Sequence, residues 1–361
     1  MFTLPNQYLA RDVYKSFIDK EHFLVKLEAL LDWHDLAHPL MELAQNTHGG
    51  RPRYAPVLML KMLFLSFLFN LSDRDTEFSA TNNLLAKYFL GLPINEPAPD
   101  HSSLSRFREE VLRVKGLSFF EDLFRQVIVQ AKTQGVVFGV VSALDATHTL
   151  AKVDTARDGH AQKHYGAPST DPDAKWGVKG KETKMTTQGQ KVDVLKTFYG
   201  YKAHLLAETK HGLITGLYGT PGNTADLDGG DELLHRILTE SERAEIQVLT
   251  ADKAYGCPLW VNMLEKYTGI TTAFALPRTM TEKGYRREKW QSYVQDPNRR
   301  IFRKERSVVE RVNADLKENH SLRRSRYLGL IKYRLQLVMA SIAHNVKLMM
   351  RILTEVTLRP I

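Results

Sequence analysis

The sequence predicts an all-helical domain followed by an α/β domain. Residues 1 to about 135 repeat apolar side chains three and four positions apart, as in Phe23 and Leu27, which is typical of helices with one buried face. After Gly135 the pattern changes to short β-branched runs bounded by glycine, and these runs alternate with helical segments. Strands followed by helices indicate a sheet with helices packed on its faces. The second domain is therefore predicted to cover 136–361.

The composition limits the class of protein. The 361 residues are 43% hydrophobic, which is enough to bury a core and excludes wholesale disorder. The single cysteine, Cys257, excludes an intrachain disulfide and a cysteine-based zinc site. The N-terminal residues do not have the pattern of a signal peptide, and the longest apolar run, 57–69, is shorter than the roughly 20 residues that a membrane span needs. We therefore expect a soluble, cytoplasmic protein.

One helix start in the first domain could carry function. Asp100 or Ser102 is predicted to cap a helix whose first turns contain Ser103 and Arg106. Such a helix start can place serine and arginine against phosphates. The alternative is an ordinary capped helix on the protein surface.

In the second domain, short apolar runs predict strands and longer periodic runs predict helices. The strands are predicted at 136–144 (running into Asp145), 198–207, 213–218, 246–250 (ending at Asp252) and 271–276, and the helices at 232–241, 259–267 and 327–353. The polar residues 151–196 are predicted to form a long exposed insertion or a mobile loop.

Positive charge is concentrated in two stretches. Residues 299–334 contain twelve Lys and Arg against four acids, and residues 175–202 contain seven Lys against Glu182 and Asp193. Aromatic side chains lie between these charges in both stretches. The pattern favours a polyanion such as nucleic acid as partner, and the alternative is a solvated basic surface.

Three carboxylates are placed where chemistry can occur. Asp145 and Asp252 each follow a predicted buried strand, and the carboxyl ends of strands form the edge where ligands enter an α/β sheet. At 100° per residue, Glu310 shares one stripe of a predicted helix with Arg306 and Lys317. The alternative for this stripe is a surface ion pair between Arg306 and Glu310, four residues apart.

These residues also match a family pattern. The run Arg306-x3-Glu310-x6-Lys317, followed by LRRSRYLG at 322–329, resembles the C-terminal signature of DDE transposases of bacterial insertion sequences, nearest the insertion-sequence-five branch. Further matches are DPDA at 171–174, YGYKAH at 199–204, TPGN at 220–223, DKAYG at 252–256 and the helix start at 100–108. One position departs from the pattern, because Arg303 stands where the family often has tyrosine.

The resemblance implies an α/β, ribonuclease-H-like mixed sheet flanked by helices and preceded by the all-helical domain. It implies that Asp145, Asp252 and Glu310 form a catalytic triad that binds two Mg²⁺ ions, for which Mn²⁺ can substitute. Such an enzyme binds the terminal inverted repeats of its element, cleaves the DNA at the ends and joins the 3′-hydroxyls to target DNA. The expected DNA contacts are Arg306, Lys317, Arg323, Arg324, Arg326, Lys202, Ser103 and Arg106.

Physical chemistry agrees with a metal triad. Mg²⁺ prefers oxygen ligands, so three carboxylates without cysteine or histidine are a suitable set. Two such ions can activate the attacking oxygen and neutralise the leaving oxygen in phosphodiester cleavage.

The expected partners are double-stranded DNA, as transposon ends and target, and a second copy of the chain in a homodimer on DNA. The protein is expected to be associated with the nucleoid. Two alternatives stay open: a metal-dependent DNA nuclease without strand transfer, and a catalytically inactive DNA-binding regulator.

Overall fold

The computed structural model describes residues 14, 16–44, 53–185, 191–281 and 287–358. The chain divides into two compact units, one made of 1–137 with 338–361 and the other of 138–337. Each unit has its own architecture.

The described part of the first unit is helical, which confirms the all-helical prediction. Its helices are α1 (Phe23–Leu30), α2 (Trp33–Ala37), α3 (Pro56–Leu68), α4 (Asp73–Asn82), α5 (Leu84–Leu90), α6 (His101–Lys115) and α7 (Ser118–Thr133), with a 3₁₀ helix at His38–Ala44. The last helix of the chain, named α16 below, covers Leu330–Thr354 and belongs to this unit from Val338 onward.

Apolar side chains on α3 form the centre of the helical core. Every residue of α3 from Met59 to Leu68 is buried, because the helix is apolar around nearly its whole circumference. Trp33 packs edge-on against Phe64 and Phe89, with ring centroids 5.2 and 5.1 Å away. Within the described ranges, no single helix is long and apolar enough to cross a membrane. Only α3 and α4 taken together reach that length and apolarity, and the chain bends by 111° between them.

The second unit contains a mixed sheet. Its strands are β1 (Val141–Leu150), β2 (Lys175–Met185), β3 (Lys191–Glu208), β4 (Ile214–Pro221), β5 (Val248–Ala251) and β6 (Thr271–Thr272). The order is β2-β3-β1-β5-β6, and β4 pairs with β3. β3 is antiparallel to β1, β2 and β4, whereas β5 is parallel to both β1 and β6. The mixed sheet with its flanking helices confirms the predicted α/β fold class.

Helices surround this sheet. They are α8 (Thr155–Tyr165), α9 (Asp226–Glu232), α10 (Glu240–Ala244), α11 (Pro258–Met263), α12 (Arg278–Thr281), α13 (Arg287–Gln295), α14 (Pro297–Glu305), α15 (Ser307–Asn319) and the first part of α16. π-helical turns at Leu233–Ile237 and Leu264–Thr268 extend α9 and α11, and a 3₁₀ turn lies at Lys253–Tyr255. A core of Leu144, Leu206, Leu249, Trp260 and Phe274 lies between the sheet and these helices.

The predicted end of the first strand was wrong. Asp145 is the fifth residue of β1, which continues to Leu150 because the long strand β3 pairs with it as far as Gly200. The parallel neighbour β5, in contrast, ends at Ala251, opposite Leu144. Asp145 is therefore inside its strand but just beyond the end of the adjacent strand.

The polar residues 151–196, predicted as a long exposed insertion or a mobile loop, contain regular elements that the sequence analysis did not predict. They contain α8 and β2, and β2 pairs with β3 from Lys175 opposite Gly200 to Met185 opposite Lys191. Most side chains of this two-stranded ribbon are exposed, as predicted. Backbone pairing with β3 satisfies the hydrogen bonds of the ribbon, so its polar side chains did not prevent a strand. Residues 186–190 lie outside the described part of the chain.

Three other elements differ from the prediction in extent. The helix predicted at 232–241 begins earlier, at Asp226, and ends where Leu238 adopts an extended conformation. The last strand is short, although the amides of Ala273 and Ala275 still donate to Leu249 and Ala251 of β5. The predicted helix at 259–267 is α11 followed by a π turn.

Candidate active site

Two of the predicted site residues are brought together by strand register. Leu144 of β1 lies opposite Ala251, the last residue of the parallel strand β5, and Asp145 and Asp252 are the residues that follow these two. Neighbouring residues in parallel register point to the same face of a sheet. The two carboxylates therefore lie side by side where β5 ends, and the charge of Asp252 raises the pKa of Asp145.

Asp145 has a raised pKa for a physical reason. Burial raises the pKa of this carboxyl from 3.8 to about 6, and the charges of Asp252 and Asp226 act in the same direction. The backbone N–H of Ala146 and the charge of Arg306 oppose this shift but do not cancel it. The Asp145 carboxyl therefore binds a proton more readily than a solvent-exposed aspartate does.

Asp252 is held by the turn that follows β5. It caps the 3₁₀ turn at Lys253–Tyr255, and its Oδ1 accepts a hydrogen bond of 2.8 Å from the backbone N–H of Ala254. A carboxylate that caps a turn has a restricted orientation. The sequence DKAYG thus fixes Asp252 beside Asp145.

Glu310 lies on α15, about one helical turn before Asn313, the residue of this helix that contacts Asp145. The helix buries Val308, Val309, Val312 and Leu316. The Glu310 side chain is 53% exposed, and its Oε1 accepts a hydrogen bond of 2.6 Å from Nη2 of Arg306. The ion pair that the sequence offered as an alternative is thus formed, and it keeps the Glu310 carboxylate at the surface of the helix.

Asn313 is a site residue that the sequence analysis missed. It is buried, and its Nδ2 donates a hydrogen bond of 2.8 Å to Oδ2 of Asp145. Its position three residues after Glu310 and four before Lys317 puts all three on one helix face, which is the signal that could have found it. Among the described residues, the Oδ1 atom of Asn313 has no hydrogen-bond partner.

Lysines from three elements converge near His148, three residues beyond Asp145 on β1. Burial lowers the pKa of His148 to about 4, and the charges of Lys317, Lys179 and Lys202 lower it further. Burial and the charge of Lys179 also lower the pKa of Lys317. Such a concentration of positive charge is suited to an anion. Lys179, on β2, is the member of this group that the sequence analysis did not select.

The predicted DNA contacts after α15 lie on a segment tied to the end of β1. The N–H of Leu150 donates to the carbonyl of Arg323, and the N–H of Ser325 donates to the carbonyl of Leu150. The side chains of Arg323 and Arg324 are exposed, whereas Nη2 of Arg326 donates to Oγ of Ser321. Lys202 is different, because its ammonium group donates to Asp226 at 2.7 Å and to the carbonyl of Thr224 at 2.8 Å.

Ser103 and Arg106 lie at the start of α6 in the helical unit. Asp100 caps this helix as predicted and accepts from the N–H of Ser103 at 2.8 Å. Nη2 of Arg106 donates to Oγ of Ser102 at 3.0 Å. The observed contacts of these side chains are therefore those of the helix cap, and their binding to DNA stays a prediction.

One buried carboxylate joins three of the sequence motifs. Asp171 of the DPDA run is fully buried and accepts hydrogen bonds of 2.7 Å from the Tyr201 hydroxyl, and it also accepts from the N–H of Gly329. The Tyr201 ring stacks on Tyr333, whose hydroxyl lies 3.1 Å from Oγ1 of Thr149 on β1. These motifs thus hold the segment after α15 against the sheet.

The raised pKa of Asp145 predicts how stability depends on pH. Between about pH 4 and pH 6 the folded state binds more protons than the unfolded state, so the free energy of unfolding falls as the pH rises through this window. Asp145→Asn removes this cost, and its amide oxygen can still accept from Asn313. We expect the variant, in EDTA at pH 7.5, to exceed the wild type by on the order of 2 kcal/mol in free energy of unfolding.

Urea unfolding at two pH values checks this prediction. The advantage of Asp145→Asn should be largely lost near pH 3, below the ordinary pKa of 3.8, where the wild-type carboxyl is protonated in both states. Asp228→Asn, an exposed acid on α9, is the matched control and should show no such crossover. Equal stability of wild type and Asp145→Asn at pH 7.5 would contradict the pKa shift.

Comparison with known proteins gives a consistent assignment. A family described as "Transposase domain (DUF772)" matches residues 12–110, and one described as "Transposase DDE domain" matches residues 140–346. A cryo-EM structure of a piggyBac transposase synaptic complex with hairpin DNA is 10% identical, with 95% of this chain and 74% of that chain covered and a TM-score of 0.39. That similarity is too low to support an argument, and the insertion-sequence-five branch stays a prediction. Because the DDE domain covers more than half of the chain, this protein belongs to the DDE transposase family of polynucleotidyl transferases.

Proposed function

We propose that this transposase binds the terminal inverted repeats of its element, hydrolyses the phosphodiester at each end and joins the 3′-hydroxyls to target DNA. Asp145, Asp252 and Glu310 are the proposed catalytic and metal-binding residues. The observation that carries the proposal is the pair of aspartates side by side where β5 ends, with α15 held to Asp145 by Asn313, three residues after Glu310. The cleavage and joining steps go beyond the family assignment.

A DDE transposase domain implies a divalent metal, and the residues of the site fit one. The donor set consists of carboxylate oxygens, as Mg²⁺ prefers. Burial raises the pKa of Asp145, and the charges of Asp252 and Asp226 raise it further, as expected when carboxylates share a site. When bound, two such ions supply activation of the attacking oxygen and charge neutralisation at the leaving oxygen. We propose Mg²⁺ as the ion, with Mn²⁺ able to substitute.

The remaining side chains have proposed roles of their own. Asn313 holds the Asp145 carboxylate through its Nδ2, and this fixes the rotamer of a metal ligand. Arg306 holds the Glu310 carboxylate at the helix surface through their ion pair. Lys317 and Lys179, which converge on His148, would bind the phosphates that flank the scissile bond.

The other basic side chains are also proposed to contact DNA, and they differ in how exposed they are. Arg323 and Arg324 are exposed next to the end of β1, so they can reach a strand that passes the site. Arg326 and Lys202 are partly buried and hydrogen-bonded, so we expect smaller contributions from them. Ser103 and Arg106 are proposed contacts of the helical domain with the terminal repeat. A homodimer on DNA is proposed because two ends must be paired for joining.

The proposed function is tested with the DNA that flanks the gene. Purified protein is incubated with that DNA and Mg²⁺, and any nicks are mapped to the nucleotide. Cleavage at both ends, and joining of precleaved ends to a plasmid, are the expected results. Cleavage without joining would make the protein a nuclease, and binding without cleavage would make it a DNA-binding regulator.

Lys179 provides a prediction about DNA binding. Lys179→Ala should weaken binding of duplex DNA and reduce the slope of log K against log salt by about one, because one phosphate contact is lost. It should also raise the pKa of His148, which Lys179 lowers. Fluorescence anisotropy at several salt concentrations and NMR titration of His148 measure the two effects.

The control for this prediction is Lys266→Ala. Lys266 is exposed and lies over the Tyr267 ring in the π turn after α11. Its removal lowers the net charge equally without changing the group around His148. An equal loss of affinity in both variants would show that Lys179 acts only through net charge, against the proposal.

A further inference from the structure

A fourth carboxylate lies beside the proposed triad. Asp226 is the first residue of α9, which follows β4. Both β4 and β1 are antiparallel to β3, so β4 runs in the same direction as β1 and α9 begins on the side of the sheet toward which β1 runs. Asp226 therefore lies toward this end of the sheet, on an element that the triad does not use.

Two glycines allow α9 to lie very close to the sheet. A Cβ atom on Gly229 would lie 2.1 Å from the ring of His204, and one on Gly230 would lie 2.7 Å from the ring of Tyr255 and 3.0 Å from Leu144. Tyr255 lies in the 3₁₀ turn that Asp252 caps. Because residues four apart share a helix face, Asp226 lies one turn from Gly230 on the face that packs against this turn.

Asp226 forms an ion pair with Lys202. Nζ of Lys202, on β3, donates to Oδ1 of Asp226 at 2.7 Å, and the lysine side chain is 14% exposed whereas that of Asp226 is 35% exposed. The charge of Asp226 still reaches the triad, since it contributes to the raised pKa of Asp145. A carboxylate near two other carboxylates increases the demand of the site for a cation.

A buried hydroxyl near these acids is an independent observation that points to a bound ligand. Tyr255 is 1% exposed, and within the described part of the chain its hydroxyl has no hydrogen-bond partner. Burial raises the pKa of Tyr255. The charges of Asp226, Asp145 and Asp252 raise this pKa further, and the effect of Asp226 is the largest of the three. A buried hydroxyl without a partner is rare and costly unless a water or bound group satisfies it.

We propose that Asp226 is a fourth carboxylate of the metal site and binds a divalent cation together with Asp145 and Asp252. The Tyr255 hydroxyl donates to a water or carboxylate oxygen on that cation. Lys202 is the counter-ion of Asp226 in the metal-free protein and competes with the metal for it. This assignment rests on the proposed function, because it adds a ligand to the proposed triad.

The test is Mn²⁺ binding by the full-length protein without DNA, measured from the free Mn²⁺ signal in electron paramagnetic resonance. Asp226→Asn should weaken binding by on the order of tenfold or more, as loss of a group that interacts with a metal commonly does. Asp228→Asn, an exposed acid two residues along the same helix, should bind as the wild type does. Lys202→Met should bind at least as tightly as the wild type, because the competing cation is gone.

Two results would overturn the inference. Wild-type affinity in Asp226→Asn would remove Asp226 from the site. Weakening in Lys202→Met to the same extent as in Asp226→Asn would mean that the pair only ties α9 to β3. Since Lys202→Met breaks the same ion pair while Asp226 remains, it decides the question even if Asp226→Asn unfolds. A wild-type protein that binds no Mn²⁺ would instead overturn the proposed triad as well, so the two failures are distinguishable.

Discussion

Replacement of Asp145, Asp252 or Glu310 by alanine is expected to lower Mg²⁺-dependent cleavage of end-bearing DNA by at least about a thousandfold while DNA binding persists. A bound metal supplies several kcal/mol of transition-state stabilisation, and each 1.36 kcal/mol is about a factor of ten in rate. The basic side chains around His148 are unchanged in these variants, so affinity for DNA should remain. Single-turnover cleavage and anisotropy on the same preparations separate the two quantities.

Glu310 gives this prediction its sharpest control. Glu318 lies on the same helix, is also exposed and also pairs with an arginine, Arg323, at 3.3 Å. Glu318→Gln should cleave at the wild-type rate, whereas Glu310→Gln should not. If Glu310→Gln cleaves normally, its contact with Arg306 is only the surface ion pair, and the third metal ligand must be sought elsewhere in the site.

Asn313→Ala is expected to lower both the rate of cleavage and the free energy of unfolding. The substitution removes the donor to Asp145, and loss of a group that orients a metal ligand typically lowers activity or metal affinity by about 10–100-fold. Loss of a buried hydrogen bond to a charged group should lower the free energy of unfolding by about 1–3 kcal/mol. Single-turnover rates across a Mg²⁺ titration, together with urea unfolding, measure these effects.

The matched control for Asn313 is another asparagine of α15. Asn319 is exposed and donates to Oδ1 of Asp315 at 2.6 Å, so Asn319→Ala also removes a side-chain hydrogen bond from this helix. We expect it to retain wild-type metal dependence. If Asn313→Ala changes stability but leaves the Mg²⁺ dependence and the rate unchanged, Asn313 has only a structural role.

Local patterns in the sequence predicted much of the fold because they depend on nearby residues. The hairpin of β3 and β4, the strand before Asp252 and the cap at Asp100 each follow from spacing and residue type within a few positions. The strand β2 within 151–196 was not predicted, because it is stabilised by pairing with β3 rather than by its own composition. Propensity is a weak guide where backbone pairing decides the structure.

The amino-acid sequence alone predicted a helical region and an α/β region, named Asp145, Asp252 and Glu310 as candidate metal ligands, and showed where basic side chains are concentrated. Only the tertiary structure decided that Asn313 contacts Asp145 across 168 positions, that the charge of Asp226 adds to the effect of burial on the pKa of Asp145, and that Lys179 lies near His148. The physical reason is that charge, burial and hydrogen bonding act through space. Their strength is set by strand register and helix packing, which a local pattern does not contain.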